Sequence, residues 1–194
     1  PAKDEEVGLR YLLENFESSN LGEKFDIDFI FVIDGRTSDE SKEIASHFSD
    51  NILDQKETHG KGAAVRQAIE IWKKNKSDKT VFLDADGSYS FESVHRIISA
   101  LDGEADIISG SRFLGGRGRP EGMSRLHNFG NRLLSKISSI RNGSGISDLC
   151  TGLWGFKQRA LENLPLNSNG FDLEAEIAGL ARKKGLRHSE IPVD

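Results

Sequence analysis

The sequence predicts an α/β fold, a mostly parallel sheet flanked by helices. Three observations predict it. Short runs that are apolar throughout recur along the chain, as expected of strands buried on both faces. Segments with apolar residues at helical spacing separate them. Two of the runs end in Asp34-Gly35 and Asp84-Ala85-Asp86-Gly87, turn chemistry at the carboxyl end of a strand. Strands alternating with helices make parallel βαβ units. At 194 residues a single domain spanning 1–194 is expected.

The elements follow in order. Leu9, Leu12, Leu13 and Phe16 mark one helix face. Residues 27–33 read as a buried strand, which Asp34-Gly35-Arg36 turns out of. Thr37 and Glu40 have capping-box spacing before a helix through Ile44, Ala45 and Phe48. Ile52-Leu53 reads as a short strand. Gly60-Lys61-Gly62 leads into a helix with Val65, Ala68, Ile69 and Trp72 on one face. The central strand starts at Thr80. Ser90 can cap a helix carrying Val94, Ile97, Ile98 and Leu101. Residues 106–110 form the next strand. Gly115, Gly116, Gly118 and Pro120 mark an irregular loop, and Leu126, Phe129, Leu133, Leu134 and Ile137 a helix. A strand over 153–156, a helix over 171–184 and a strand over 186–193 complete the chain. Residues 1–6 read as a loop leaving a strand, so a first strand is expected to precede the given sequence. The ending at Asp194 is abrupt, and a longer protein is expected.

Composition narrows the function. Mean hydropathy is −0.47, and the absence of a long apolar run argues against a transmembrane helix in this sequence. No signal peptide is visible. One cysteine, Cys150, forms no internal disulfide and fits a reducing, cytoplasmic compartment. A net charge of −5 does not favour nucleic acid as a partner. Yet residues 111–147 carry a net +6, from Arg112, Arg117, Arg119, Arg125, Arg132, Lys136 and Arg141 against Glu121 alone. Such asymmetry points to an anion met locally, or else to a solvated helix face.

The candidate site residues sit at strand ends. Asp84 and Asp86, one residue apart on extended backbone, point to the same side. Their charges repel unless a cation intervenes. Oxygen donors select hard ions, Mg2+ or Mn2+, which leave positions for phosphates. The pair also suits a plain strand-to-turn junction. Asp34 can accept hydrogen bonds from a base or ribose, or simply form a turn. Gly60-Lys61-Gly62 suits a helix-entry turn first, and anion contact at a helix start second, since it lacks the residues of a Walker A loop. Arg112 can reach a phosphate. Asp148 can serve as a general base or as a turn carboxylate. His59, His95, His127 and His188 lack metal-ligand spacing and read as surface or loop residues. Convergence of several such groups on one sheet edge is more informative than any one of them.

Several stretches together resemble the inverting glycosyltransferases of family 2, above all the dolichyl- or polyprenyl-phosphate sugar transferases. They are residues 1–6, Asp34-Gly35-Arg36-Thr37-Ser38-Asp39, His59-Gly60-Lys61-Gly62-Ala63-Ala64 and Leu83-Asp84-Ala85-Asp86-Gly87-Ser88-Tyr89. Gly110-Ser111-Arg112-Phe113, the stretch 128–134 and Gly170-Phe171-Asp172-Leu173-Glu174-Ala175-Glu176 follow in the family's order. The resemblance implies the GT-A fold, with its Rossmann-like sheet, and a nucleotide-diphosphate sugar as donor. It implies a nucleotide-binding half over 1–110 and an acceptor-binding half over 111–194. Pro1, Ala2, Lys3, Glu5, Val32 and Asp34 would line the nucleotide pocket, with Lys61 beside them. Asp84, Ala85 and Asp86 would hold metal and diphosphate. Arg112 would contact phosphate, and Arg117, Arg119, Arg125 and Arg132 would help hold an acceptor phosphate. A lipid-phosphate acceptor implies work at the inner face of a membrane, peripherally or through membrane helices outside this sequence. The chain departs from the family at Lys3 (tyrosine), Asp4 (asparagine), Ser88 (glutamine in mannosyl transferases) and Ser90-Phe91 (prolines). Two rival expectations remain. The stretch 83–88 also resembles the first motif of haloacid-dehalogenase phosphatases, and the whole could be a non-catalytic nucleotide-sugar-binding domain.

Overall fold

The computed structural model describes residues 1–56, 59–114 and 146–193. The chain divides into two compact units: Pro1–Ser77 with Leu83–His95 and Asn167–Leu173, and Asp78–Phe82 with Arg96–Leu166 and Glu174–Asp194.

In the first unit, helices α1 (Glu6–Ser18) and α2 (Leu21–Lys24) precede strand β1 (Phe31–Asp34), helix α3 (Ser41–Ser46), strand β2 (Ile52–Gln55) and helix α4 (Lys61–Trp72). β1 and β2 pair in parallel, from Phe31 with Ile52 to Asp34 with Gln55. Ala2 extends this ladder on the other edge of β1. Its N–H donates to Val32 O at 2.9 Å, and Asp34 N–H donates to Ala2 O at 2.9 Å. Leu9 and Leu13 of α1, Ile33 of β1 and Ile44 and Ala45 of α3 form the core with Ala2 and Ala85. Burying such side chains contributes about 1.5–3 kcal/mol each. Phe16 packs edge-on to Phe29, with centroids 4.9 Å apart, and tilts onto Phe91 at 5.3 Å.

Two details differ from the sequence reading. The strand expected over 27–33 begins only at Phe31. Its ladder starts where Phe31 N–H meets Asn51 O, while Phe29 O is taken by the Ser49 hydroxyl at 2.7 Å. Thr37 does not cap α3. Asp39 Oδ1 accepts the Ser41 N–H at 3.0 Å, and its Oδ2 accepts the Glu6 N–H of α1 at 2.9 Å. One carboxylate thus satisfies donors at two helix starts, where helix dipoles favour negative charge. Burial works against that charge, but the Ser41 and Glu6 donors outweigh it and hold the Asp39 carboxyl below its usual range.

In the second unit, a sheet runs in the order β3, β5, β4, β6: β3 (Lys79–Leu83), β5 (Leu153–Lys157), β4 (Ile107–Ser111) and β6 (His188–Pro192). β4 and β6 are parallel, whereas β5 runs antiparallel to β4. Helices α5 (Phe91–Ala100), α6 (Gln158–Glu162) and α7 (Leu173–Lys183) complete the described elements. The helix expected over 171–184 starts at Leu173, because Asp172 folds back to accept Gly170 N–H and the Ser168 hydroxyl. Phe82 lies against Phe156, centroids 4.6 Å apart. Asp106 anchors the start of β4, accepting from Arg159 and from Arg187 N–H.

His188 is not a surface or loop residue. It stacks on Trp154 at 5.4 Å and its Nε2 lies 2.8 Å from Ser109 Oγ. Burial pushes its pKa down to about 4. The folded value lies below the unfolded one, so the unfolded chain binds the proton more readily between about pH 6.5 and 4. The contribution of neutral His188 is therefore complete above pH 6.5 and is lost as pH falls towards 4. At 1.36 kcal/mol per unit it amounts to roughly 3 kcal/mol. Urea denaturation of the wild type and of His188→Gln between pH 7.5 and 4.5 checks this: the wild type should lose stability more steeply. Parallel curves would contradict it.

Candidate active site

The site residues of the first unit come from three loops brought onto one place. The loop 1–5 runs from the Ala2 ladder into α1. Asp4, at φ 52°, accepts Ser38 N–H at 2.8 Å, and Ser41 Oγ accepts Glu5 N–H at 2.9 Å. The Asp84–Gly87 turn follows β3 and packs on α1 at Gly8. A Cβ on Gly8 would lie 2.4 Å from Ala85 O and 2.6 Å from the Asp86 carbonyl carbon. This close approach admits only glycine. The Asp34 turn closes at Gly35, whose N–H donates to Gln55 O at 2.8 Å.

Charge is concentrated here. Lys61, the first residue of α4, places Nζ 2.7 Å from Asp84 Oδ1 and 2.8 Å from Oδ2. Asp86 is exposed, and its Oδ1 accepts Ser88 N–H at 2.9 Å, which fixes the turn. Burial pushes the Glu5 carboxyl up, and the charges of Asp86, Asp39, Asp84 and Asp4 push it further. Carboxylates therefore outnumber the Lys61 ammonium in this corner. Ala85 and Val32 have buried side chains and contribute backbone; Lys3 is exposed on the bend after Ala2.

Asp34 is 4% exposed. Arg36 grips it through Nε at 2.9 Å, Nη2 at 2.6 Å and its own N–H at 2.9 Å. These hydrogen bonds hold the Asp34 carboxyl well below the usual carboxylate range. His59 Nδ1 lies 3.2 Å from Asp34 Oδ1 without an aligned hydrogen bond. His59 thus faces Asp34 and is not a plain loop residue. The α4 start is a plain helix-entry turn. Gly62 N–H donates to Gly170 O and Ala63 N–H to Asn169 O, so backbone carbonyls occupy donors that an anion would need. The positive charge of Lys61 is what this helix start contributes.

The donor set suits a hard divalent ion. Asp84 and Asp86 supply oxygens only, and charge accumulates around Glu5. Among the described residues no group of three or more His, Cys, Asp or Glu forms a metal cage. An ion that keeps waters and phosphate oxygens needs only one or two carboxylates.

In the second unit, Arg112 follows β4. Its Nε donates to Asp148 Oδ2 at 2.7 Å, its Nη2 to Asp148 Oδ1 at 3.0 Å, and its N–H to Oδ2 at 3.1 Å. Nη2 also donates to Cys150 O at 3.0 Å. Asp148 is fully buried and forms a bidentate pair with the guanidinium. That arrangement aims an arginine. Arg117, Arg119, Arg125, Arg132 and His127 lie outside the described residues. The sequence reading missed Gly8, Asp39 and Glu190; only side-chain absence, a helix start and an acid on the last strand marked them.

The family model described as glycosyl transferase family 2 matches residues 1–164. Glycosyltransferase AglJ of Haloferax volcanii is 29% identical over 163 residues, 84% of this chain and 52% of the relative. The chain thus spans about half the length of that curated relative. A dolichyl-phosphate hexose transferase of the same organism is 26% identical over 166 residues, 84% of this chain and 68% of the relative. The crystal structure of Mycobacterium tuberculosis glucosyl-3-phosphoglycerate synthase with Mn2+ and UDP-glucose superposes with TM-score 0.71 at 14% identity, covering 100% of this chain and 67% of that one. The likeness shows the GT-A fold expected from the sequence.

Gly8→Ala tests the seating of the acid turn. The added methyl must displace Ala85 and Asp86 backbone, at a cost of about 1–3 kcal/mol. Mn2+ affinity measured with UDP present should fall at least tenfold, with a lower thermal midpoint. Unchanged affinity would show that the contact does not hold the acids.

Proposed function

The chain belongs to glycosyl transferase family 2, and on that premise we propose that it transfers a sugar, with inversion, from a nucleotide-diphosphate sugar to a polyprenyl or dolichyl phosphate. The observation that carries this reading is the Asp84–Asp86 turn, fixed on α1 at Gly8 and bound by Lys61. The likeness to a dolichyl-phosphate hexose transferase supports the choice of acceptor.

The residues divide the work. Ala2, Val32 and the Asp34–Arg36 pair form the floor and edge of the nucleoside site, with Pro1, Lys3 and Glu5 on the loop beside it. Because Arg36 already occupies most of the Asp34 acceptor capacity, the pair acts as a unit and Arg36 presents the polar surface to the nucleoside. Asp84, Ala85 and Asp86 would hold Mg2+ or Mn2+ with the diphosphate. A divalent ion bound there would offset negative charge on the leaving diphosphate as a Lewis acid. Lys61 adds a second positive charge beside Asp84, and a cation aimed at developing charge lowers the barrier electrostatically.

Arg112, with Arg117, Arg119, Arg125 and Arg132, would bind the acceptor phosphate. A phosphate oxygen is already ionised at neutral pH, so it attacks without a general base. Asp148 is therefore assigned to orienting Arg112, in keeping with its full burial. No helix among the described residues is long and apolar enough to cross a membrane; the lipid acceptor would be met at a membrane surface. The phosphatase reading of the same acids finds no support in the family match or in the fold.

Transfer assays with UDP- and GDP-sugars, Mn2+ and polyprenyl phosphate test the proposal. Asp86→Ala should lower transfer at least 100-fold, the size expected for losing several kcal/mol of charge stabilisation. Full turnover by that variant would refute the metal–diphosphate assignment. Donor binding without turnover on every acceptor would favour a binding domain.

A further inference from the structure

We propose that Glu190 is a positioning residue for the acceptor phosphate, acting through Asp148 on Arg112; this rests on the acceptor reading of Arg112 given above. Glu190 lies on β6, opposite Ser109 of β4 in register. Its Oε2 accepts the Ser147 N–H at 2.8 Å and its Oε1 accepts the Asp148 N–H at 3.2 Å. Both oxygens of one carboxylate thus hold two successive amides, as anions do in backbone nests.

The segment held this way has no regular ladder of its own. Residues 146–150 belong to neither helix nor strand. The Ser147 hydroxyl lies 2.6 Å from the Ser111 hydroxyl, a second tie to the end of β4. With its backbone held there, the buried Asp148 carboxylate meets Arg112 side-on through both oxygens. The bidentate bonds then set the plane of the guanidinium, and the Cys150 carbonyl at 3.0 Å fixes its tilt. Asp148 and Cys150 take the Nε and Nη2 hydrogens, so a phosphate would meet the remaining edge of the guanidinium and its charge, and the value of this chain of contacts lies in direction. A rotation of the fork weakens the phosphate contact and leaves lipid packing and donor binding alone.

Calorimetric titration with citronellyl phosphate and, as control, citronellol tests this on the wild type, Glu190→Gln, Arg112→Lys and the double variant. Each titration is paired with Mn2+–UDP binding and a thermal midpoint. Arg112→Lys keeps the charge beside Asp148 and removes the fork, so the buried acid retains a partner. We expect Glu190→Gln to weaken citronellyl phosphate about tenfold, with citronellol and Mn2+–UDP unchanged. In the Arg112→Lys background the same change should add less than twofold. A purely structural Glu190 would weaken all three ligands with the midpoint, or add fully to Arg112→Lys; either result overturns the proposal. Wild-type affinity in Glu190→Gln beside a weakened Arg112→Lys also overturns it while sparing the acceptor reading. If Arg112→Lys itself binds citronellyl phosphate as the wild type does, the acceptor reading fails and the role of Glu190 falls with it.

Discussion

The absence of a side chain at Gly8 is the constraint on which the first unit depends. It lets α1 lie directly on the Asp84–Asp86 turn, with Ala85 O where a Cβ would be. The same helix starts on donors that Asp39 and Ser41 satisfy, and Asp4 just before it holds Ser38. Three loops far apart in sequence are thereby fixed relative to one another, by the main-chain approach at Gly8 and by the side chains of Asp39, Ser41 and Asp4. A site built so keeps its carboxylates in place before any ligand arrives, which is what binding and catalysis require of it.

Both units treat buried acids in the same way. Asp34, Asp106 and Asp148 are each buried, and each meets an arginine. A buried carboxylate without such a partner would be strongly destabilising, whereas the pair itself contributes little net stability. What the pairs contribute is orientation. Asp34 fixes Arg36 at the end of β1, and Asp148 fixes Arg112 at the end of β4. Lys61 and Asp84 differ, since both retain some exposure.

Much of this was legible in the sequence. The strand ends at Asp34, Asp84 and Arg112 were marked by apolar runs stopping at polar residues, and the helix faces by spacing. What escaped were effects that sequence period does not encode. The direction of β5 depends on which neighbour its backbone meets, and an apolar run reads the same either way. Thr37 had the right spacing for a cap, but Asp39 offers two acceptor oxygens and serves two helices. Gly60-Lys61-Gly62 read as a helix-entry turn or an anion contact, and only the fold shows the chain at 169–170 returning to take its amides. His188 and Glu190 lie on one face of β6 yet take different partners, Trp154 for one and the 147–148 amides for the other, and neither partner is near in sequence.

The central claim is that Asp84 and Asp86 hold a divalent ion together with a nucleoside diphosphate. Electron paramagnetic resonance of Mn2+ titrated into the protein, with and without UDP or GDP, tests it most directly. The wild type should lower the free Mn2+ signal beyond the loss caused by UDP or GDP alone, and Asp84→Asn should abolish that extra loss. A signal that the protein leaves unchanged in the presence of either diphosphate would contradict this.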